Sequence, residues 1–516
     1  MTACSGADEI ATSGVGRASS TSSGPGSTGQ GGTTGQGGSG TGGDANGGGG
    51  MVPGGPLEVV VVGQTDSPNL PGALNGYQGG ALDGMVVKLI LEPDGSASSI
   101  AWSRYVGGSD YEQLRDVALD AQGDAYITGR MASTDLATTG DAQQPSYGGG
   151  NMDAFVVRLD ASGGVPYASY FGGSNYDVGY GISVTSSGGV VISGRSSSTD
   201  LPTTAGAAQP NYGGGGNSPP YFGGDYFAFE LSDQGRAIGW GTYAGGQGND
   251  AGRGRNAVAP DGVVWVGGRS LSHDFPAVNP MQGSSDGGVV RISPDGSTMT
   301  GIHIGGSADL DAATGGTLVL PDGSVMICGY STSPDLPMTN GSAQPNRAGG
   351  FDGMLAHVSA NGTQLLRATF MGGSGYEECQ GVDRMPDGDI VAMGLSASSD
   401  FPITQGSVQG GNNIWVARLS ADLTTLRWAT TVGGSGDEVL DAGRLWVTPA
   451  GDILLAASTQ STDLPVTAGA AQSVFGGGTD DVFVALLSGD GTTLRHMTYV
   501  GGSGDDFPRA VALRAP

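Results

Sequence analysis

Lysine is almost absent from this sequence: Lys88 stands alone beside 20 arginines, against 49 acidic side chains, for a net charge of −28 over 516 residues. Phosphate binding needs a basic surface that releases counterions, so no nucleic-acid partner is expected. Histidine is scarce too. His273, His303, His357 and His496 fall in different segments, with neither H-E-x-x-H nor a Cys/His zinc spacing, and so define no zinc or histidine-based centre. With 3 cysteines the chain is no disulfide scaffold. No run approaches the roughly 18 to 20 apolar residues of a membrane helix. Glycine is abundant, at 101 residues, but no G-X-Y triplet repeats, which excludes collagen. A G-x-S-x-G match at Gly283 to Gly287 is expected by chance at this glycine content, and it lacks the strand-to-helix elbow of a hydrolase serine.

The first fifty residues contain 18 Gly mixed with Ser, Thr and Gln and no aromatic side chain. Burial there cannot offset the entropy of ordering, so residues 1–56 are expected to form a flexible tether. Its head, Met1-Thr2-Ala3-Cys4-Ser5, resembles the end of a bacterial lipoprotein signal, in which small residues precede a lipidated cysteine. Met1 stands where Leu is usual, and the basic and apolar parts of a signal peptide are absent, so this reading requires a start upstream of Met1. Lipidation at Cys4 would imply an outer-membrane or cell-surface protein that meets the membrane only through its acyl chains.

The remainder repeats. A Gly-Gly pair, usually followed by Ser, recurs at Gly107, Gly172, Gly245, Gly305, Gly372, Gly433 and Gly501, giving seven copies spaced by 60 to 73 residues. Each period carries four strand-like segments, such as Asp116 to Leu119, Ala125 to Thr128, Ala154 to Leu159 and Tyr167 to Phe171. Pro-Asp-Gly turns, as at Pro260 to Gly262 and Pro93 to Gly95, join first to second and third to fourth strands. The pattern predicts an all-β, seven-bladed β-propeller of four-stranded antiparallel blades over residues 57–516. Leu57 to Val62 matches a second strand and Arg509 to Leu513 a first strand, so the two ends are expected to pair and close the ring.

The Gly-Gly-Ser-x-Asp segment, the second-strand run Tyr126-Ile127-Thr128-Gly129, the loop motif Ser-x-Asp-Leu/Phe-Pro and the third-strand run Asp153 to Val156 together resemble the bacterial SBBP repeat, a family named for a seven-bladed β-propeller. Blades three and four drift from it, with Gln247 in place of Ser and no aromatic in Asp286 to Val289. The resemblance implies the fold and an extracellular or surface setting more than any activity.

Antiparallel connectivity puts all tight turns on one face and all long loops on the other. The ordered chain enters at the tight-turn face, which would leave the long-loop face free of the tether. On that free face an acid follows each Gly pair: Glu112, Asp177, Asp250, Glu377, Glu438 and Asp506, with Asp309 and Asp311 flanking the place in the remaining copy. Such acids either supply oxygens to Ca²⁺ or cap backbone N–H groups where the chain crosses between blades. The Ser-x-Asp/Asn-Leu/Phe-Pro motif recurs from Ser67, Ser198, Ser272, Ser333, Ser398 and Ser461, with Ala137 replacing Pro in the copy at Ser133, and reads as architecture. Tyr147, Tyr212, Tyr221, Phe222, Arg347 and Phe475, between that motif and the third strand, are candidates for contacting a partner or for packing on the blade below. Cys328 and Cys379 fall in adjacent blades and could form a disulfide if their backbones approach within about 7 Å, buried thiols being the default.

The functional expectation is a monomeric, non-enzymatic surface lipoprotein whose acidic long-loop face binds a polysaccharide, a protein or a cation-bridged surface. An extracellular glycan-active hydrolase or lyase, and a purely structural envelope component, remain the alternatives.

Overall fold

The computed structural model describes residues 55–514 except 216, 219–220, 339–340, 405–412 and 442. Cys4 and the Gly/Ser segment lie outside the described residues. Seven antiparallel sheets, each built from four strand positions, form the blades of the propeller. Among the described residues the only helical element is the 3-10 turn Asp233–Gly235.

Blade 1 joins both ends of the chain: Asp506–Arg514 is its innermost strand, followed outward by Leu57–Thr65, Asp83–Leu91 and Ser98–Val106. Blade 2 is built, from the axis outward, by Glu112–Leu119, Ala125–Met131, Asp153–Leu159 and Tyr167–Phe171. Blades 3 to 7 repeat this order. In blades 4, 5 and 7 the innermost strand comes in two pieces, for example Asp250–Ala251 and Asn256–Val258. Glycines interrupt it there, at Gly252 and Gly254, at Gly315 and Gly316, and at Gly443.

The second and third strands lie in mid-blade with a neighbouring blade against each face. That is why they read as continuous apolar runs instead of alternating. Val59 to Val62 are each at most 1% exposed, and burying such a side chain contributes about 1.5–3 kcal/mol. The Leu or Phe of the loop motif enters the same interior: Leu70, Leu136, Leu201, Phe275, Leu336, Phe401 and Leu464 are all buried.

Closure is by the expected pairing of the two ends. Leu57–Thr65 pairs antiparallel with Asp506–Arg514, from Glu58 opposite Arg514 to Thr65 opposite Asp506, with one irregularity at Val62/Gly63. The Arg514 guanidinium meets Glu58 at 3.0 Å. Leu57 lies opposite Leu91, just before the turn in which the Glu92 N–H donates to Ala97 O, so the described chain enters at the tight-turn face. In that turn Asp94 accepts the Ser96 N–H at 2.9 Å and Gly95 takes a φ of 76°, a conformation that glycine adopts without a Cβ clash.

Candidate functional site

The crossing loops of the long-loop face are fastened by the motif acids. The Asp177 carboxylate accepts the Gly173 N–H at 2.7 Å and the Ser198 hydroxyl at 2.8 Å. Asp250 receives Gly246 N–H and Ser272 Oγ, Glu438 receives Gly434 N–H and Ser461 Oγ, and Asp506 receives Gly502 N–H and Ser67 Oγ. Glu377 accepts the Gly373 N–H and the Ser396 hydroxyl, while Glu112 accepts the Gly108 N–H. In blade 5 the capping acid is Asp311, bonded to Gly306 N–H and Ser333 Oγ, whereas Asp309 is exposed and receives the Ser284 hydroxyl. All seven capping acids have 0% exposure. Each capping carboxylate is engaged by at least one donor, although Glu112 Oε1, Asp177 Oδ1 and Glu438 Oε2 are buried without one, and among the described residues no three His, Cys, Asp or Glu side chains gather where a metal could sit. Capping is the role this geometry supports.

Six of the seven capping acids have a companion aspartate at the start of the preceding blade's third strand, and Glu438 has Asn413 there instead. The Asp481 and Asp506 carboxylates lie 2.3 and 2.7 Å from the point a Cβ on Gly501 would occupy. A side chain there would displace both, which explains the first glycine of the pair.

The loop motif completes the tie. Asp135 accepts the Ser109 N–H at 2.9 Å, and Asp200, Asp274, Asp335, Asp400 and Asp463 accept the equivalent N–H of their own crossing loops at 2.8 to 2.9 Å. Asn69 does the same in blade 1, at 2.8 Å. The six aspartates are exposed on the long-loop face. Backbone N–H bonds hold the carboxyls of Asp135, Asp335, Asp400 and Asp463 below the usual range, so these charges persist in mild acid.

The loop aromatics pack on their own blades. Tyr147 lies edge-on to Tyr170 at 5.8 Å and donates to Gly150 O; Tyr212 meets Tyr243 at 6.0 Å and donates to Gly215 O; Phe475 meets Tyr499 at 5.9 Å. Arg347 fills the equivalent place in blade 5, donating to Gly349 O and Gly350 O. Tyr221 and Phe222 form a two-residue strand opposite Asn217 and Ser218.

Cys328 and Cys379 are buried side by side as free thiols. Each is engaged by backbone: the Gly316 N–H donates to Cys328 Sγ at 3.2 Å, and the Cys379 thiol lies 3.8 Å from Gly381 O. Burial pushes the Cys379 thiol well up, away from the reactive thiolate.

Sequence reasoning missed the arginines of the axis. Asp441 of blade 7 meets Arg509 of blade 1 and, at 3.6 Å, Arg115 of blade 2. Asp116 of blade 2 meets Arg255 of blade 4 at 3.6 Å and Arg444 of blade 7 at 3.5 Å, spanning the axis. Toward the long-loop face, Arg130 lies 5.6 Å from the Tyr111 ring and donates to Tyr176 Oη at 2.8 Å, while Arg195 lies 5.2 Å from the Tyr176 ring. The signal was present: Arg115, Arg253 and Arg509 each stand three residues after a capping acid, in a chain with few cations. The histidines do not converge. His357 contacts Ser324 in blade 5, while His496 contacts Gly95 O and Ser98 between blades 7 and 1.

Blade number, closure and antiparallel order define a seven-bladed β-propeller. No family model and no curated protein matches the chain. The SBBP resemblance therefore rests on its motifs. Solved structures align with the chain at low identity. A protein of unknown function from Dyadobacter fermentans aligns at 14% identity over 69% of this chain and 92% of that one, with a TM-score of 0.39. A Synechocystis apocarotenoid oxygenase aligns at 9% over 89% and 96%, with 0.43, and an ulvan lyase at 8% over 88% and 96%, with 0.39. At these identities the likeness concerns the fold alone.

Proposed function

We propose that this propeller is a non-enzymatic binding protein that uses its long-loop face to hold an acidic surface polysaccharide through bridging divalent cations. The supporting observation is the rim of Asp135, Asp200, Asp274, Asp335, Asp400 and Asp463, exposed, each steadied through one oxygen by a crossing-loop N–H. A second oxygen on each is left to face outward. One carboxylate repeated around a ring matches a polymer that repeats its own charged group, and Ca²⁺ held between the two would complete its oxygen shell from both partners. Entry of the chain beside Leu57 on the opposite face suits a protein tethered through Cys4 to an outer membrane or cell surface, with the acidic face turned outward.

Alginate, a carboxylated polysaccharide, is a suitable probe. Immobilised alginate should retain the full chain in about 1 mM Ca²⁺ and release it in EDTA. Replacing all six rim aspartates with Asn keeps each Oδ1 acceptor and should abolish retention at unchanged melting temperature. Retention of that variant equal to the unaltered chain, or no retention of either, would overturn the reading.

A further inference from the structure

Two of the 3 cysteines in 516 residues meet in the fold. Cys328 belongs to the second strand of blade 5, Val325–Ser331, and Cys379 to the innermost strand of blade 6, Glu377–Arg384. Cα atoms of these two strands approach within 8 Å, and the Cys379 thiol hydrogen-bonds to the Cys328 side chain. A Cβ on Gly315 would stand 2.7 Å from Cys328 Sγ and 2.4 Å from Cys379 O, so a residue without a side chain is what leaves the pair in contact. The corresponding places at two other junctions hold apolar pairs, Val62 with Leu114 and Met393 with Leu440, each within a single core cluster. Packing alone is met there by hydrocarbon side chains; a thiol on both sides distinguishes the junction of blades 5 and 6.

A cross-link has mechanical use at this junction. The innermost strand of blade 5 is broken into Asp311–Ala312 and Thr317–Val319, and the gap between the pieces falls opposite Cys328 and Gly329. A covalent tie from Cys328 to Cys379 would hold that strand to blade 6 where its own blade grips it least. The loop so closed is long, and closing a long loop removes more freedom from the unfolded chain. Both cysteines are at most 1% exposed. Burial holds Cys379 as the thiol, so exchange in the finished ring is slow, and a bond made while the two blades are still closing is afterwards sheltered. The glycines that touch the sulfurs, Gly316 and Gly381, line an axial cavity of about 360 Å³ at the tight-turn end, too small to admit a protein reductase.

We infer that Cys328 and Cys379 form a disulfide when the chain folds in an oxidising compartment, tying blade 5 to blade 6, and that the two thiols seen here are its reduced form. One thiolate attacks a disulfide donor of the compartment and the second displaces the donor's sulfur. One S–S bond forms, and two protons and two electrons pass to the donor, which leaves as its dithiol. The inference shares only the extracellular setting with the proposed function and stands whether or not the long-loop face binds a polymer. A pair of small apolar fillers would instead remain free thiols in any compartment.

Peptide mapping without reduction separates the two. Full chain carrying an added export signal is recovered from a bacterial periplasm, denatured, alkylated and digested. Cys328 and Cys379 should appear in one disulfide-linked pair of peptides that separates on reduction, whereas protein made in the cytoplasm should yield both cysteines alkylated. The linked form should melt at least about 3 °C above the reduced form, and Cys379→Ala should abolish the difference between the two preparations. Should export fail, refolding of the full chain with glutathione disulfide takes its place, with the same readouts. Separate alkylated peptides from the oxidising preparation, pairing of either cysteine with Cys4, or equal melting of the linked and reduced forms would overturn the inference.

Discussion

Asp225 opens the third strand of blade 3 with no solvent exposure, and its carboxyl is pushed up to about 8. Burial outweighs the Gly213 N–H that it accepts, and the nearby Asp250 adds to the rise. The same cause raises Asp153, Asp481 and Glu112 to about 7, and Asp83, Asp177 and Asp506 to about 6. Unfolded carboxyls titrate near 4. Between there and these raised values the folded state holds more protons than the unfolded chain, so stability falls as pH rises through that window. The contribution of these acids is complete below about pH 4 and lost as pH passes 6 to 8. His357 and His496, pushed down by burial, act in the opposite sense below the histidine range, but they are two against seven. The melting temperature should therefore be higher at pH 5 than at pH 8, by about 5 °C or more. A lower value at pH 5 in a calorimetric scan would mean that the blade-junction acids are ionised in the fold.

At the level of the strand and its turn, the third-to-fourth hairpins show how one blade fits the next. Gly296 and Gly491 sit against the indoles of Trp240 and Trp428 from the preceding blades, where an added Cβ would come within 2.5 and 2.7 Å. Blade 5 has Arg367 at the corresponding place, three residues before Phe370, and offers no indole. There the turn of blade 6 carries Leu423 instead of Gly, at a φ of 56°, with its side chain wholly buried. Filling the space left by the missing indole outweighs the strain of a positive φ, which is of order 1–3 kcal/mol. Leu423→Gly should relieve the strain yet open a cavity, for a net loss of about 2 kcal/mol in denaturant unfolding. A gain in stability would show that strain dominates.

The strands, turns and ring were readable because each rests on local chemistry: a β-branched run, a Pro-Asp-Gly turn, a Gly pair at fixed spacing. The axial cluster was not. Asp116 and Arg444 are 328 residues apart and meet only because the ring brings blades 2 and 7 to one axis. Tyr147 and Tyr212 read equally as contact residues or as packing, and nothing nearby in the sequence reveals that Tyr170 and Tyr243 lie beneath them.

For the whole molecule, closure by Glu58 to Thr65 against Asp506 to Arg514 fixes the two faces: capped crossing loops on one, hairpin turns and the axial cavity on the other. Hydrogen–deuterium exchange of the full chain with alginate and Ca²⁺ tests this division of roles most directly. Protection should concentrate in the crossing loops after Gly107, Gly172, Gly245, Gly305, Gly372, Gly433 and Gly501 and around the six rim aspartates, leaving the turns at Pro93, Pro260 and Pro321 unchanged. Protection confined to those turns, or an exchange pattern indifferent to alginate, would contradict it.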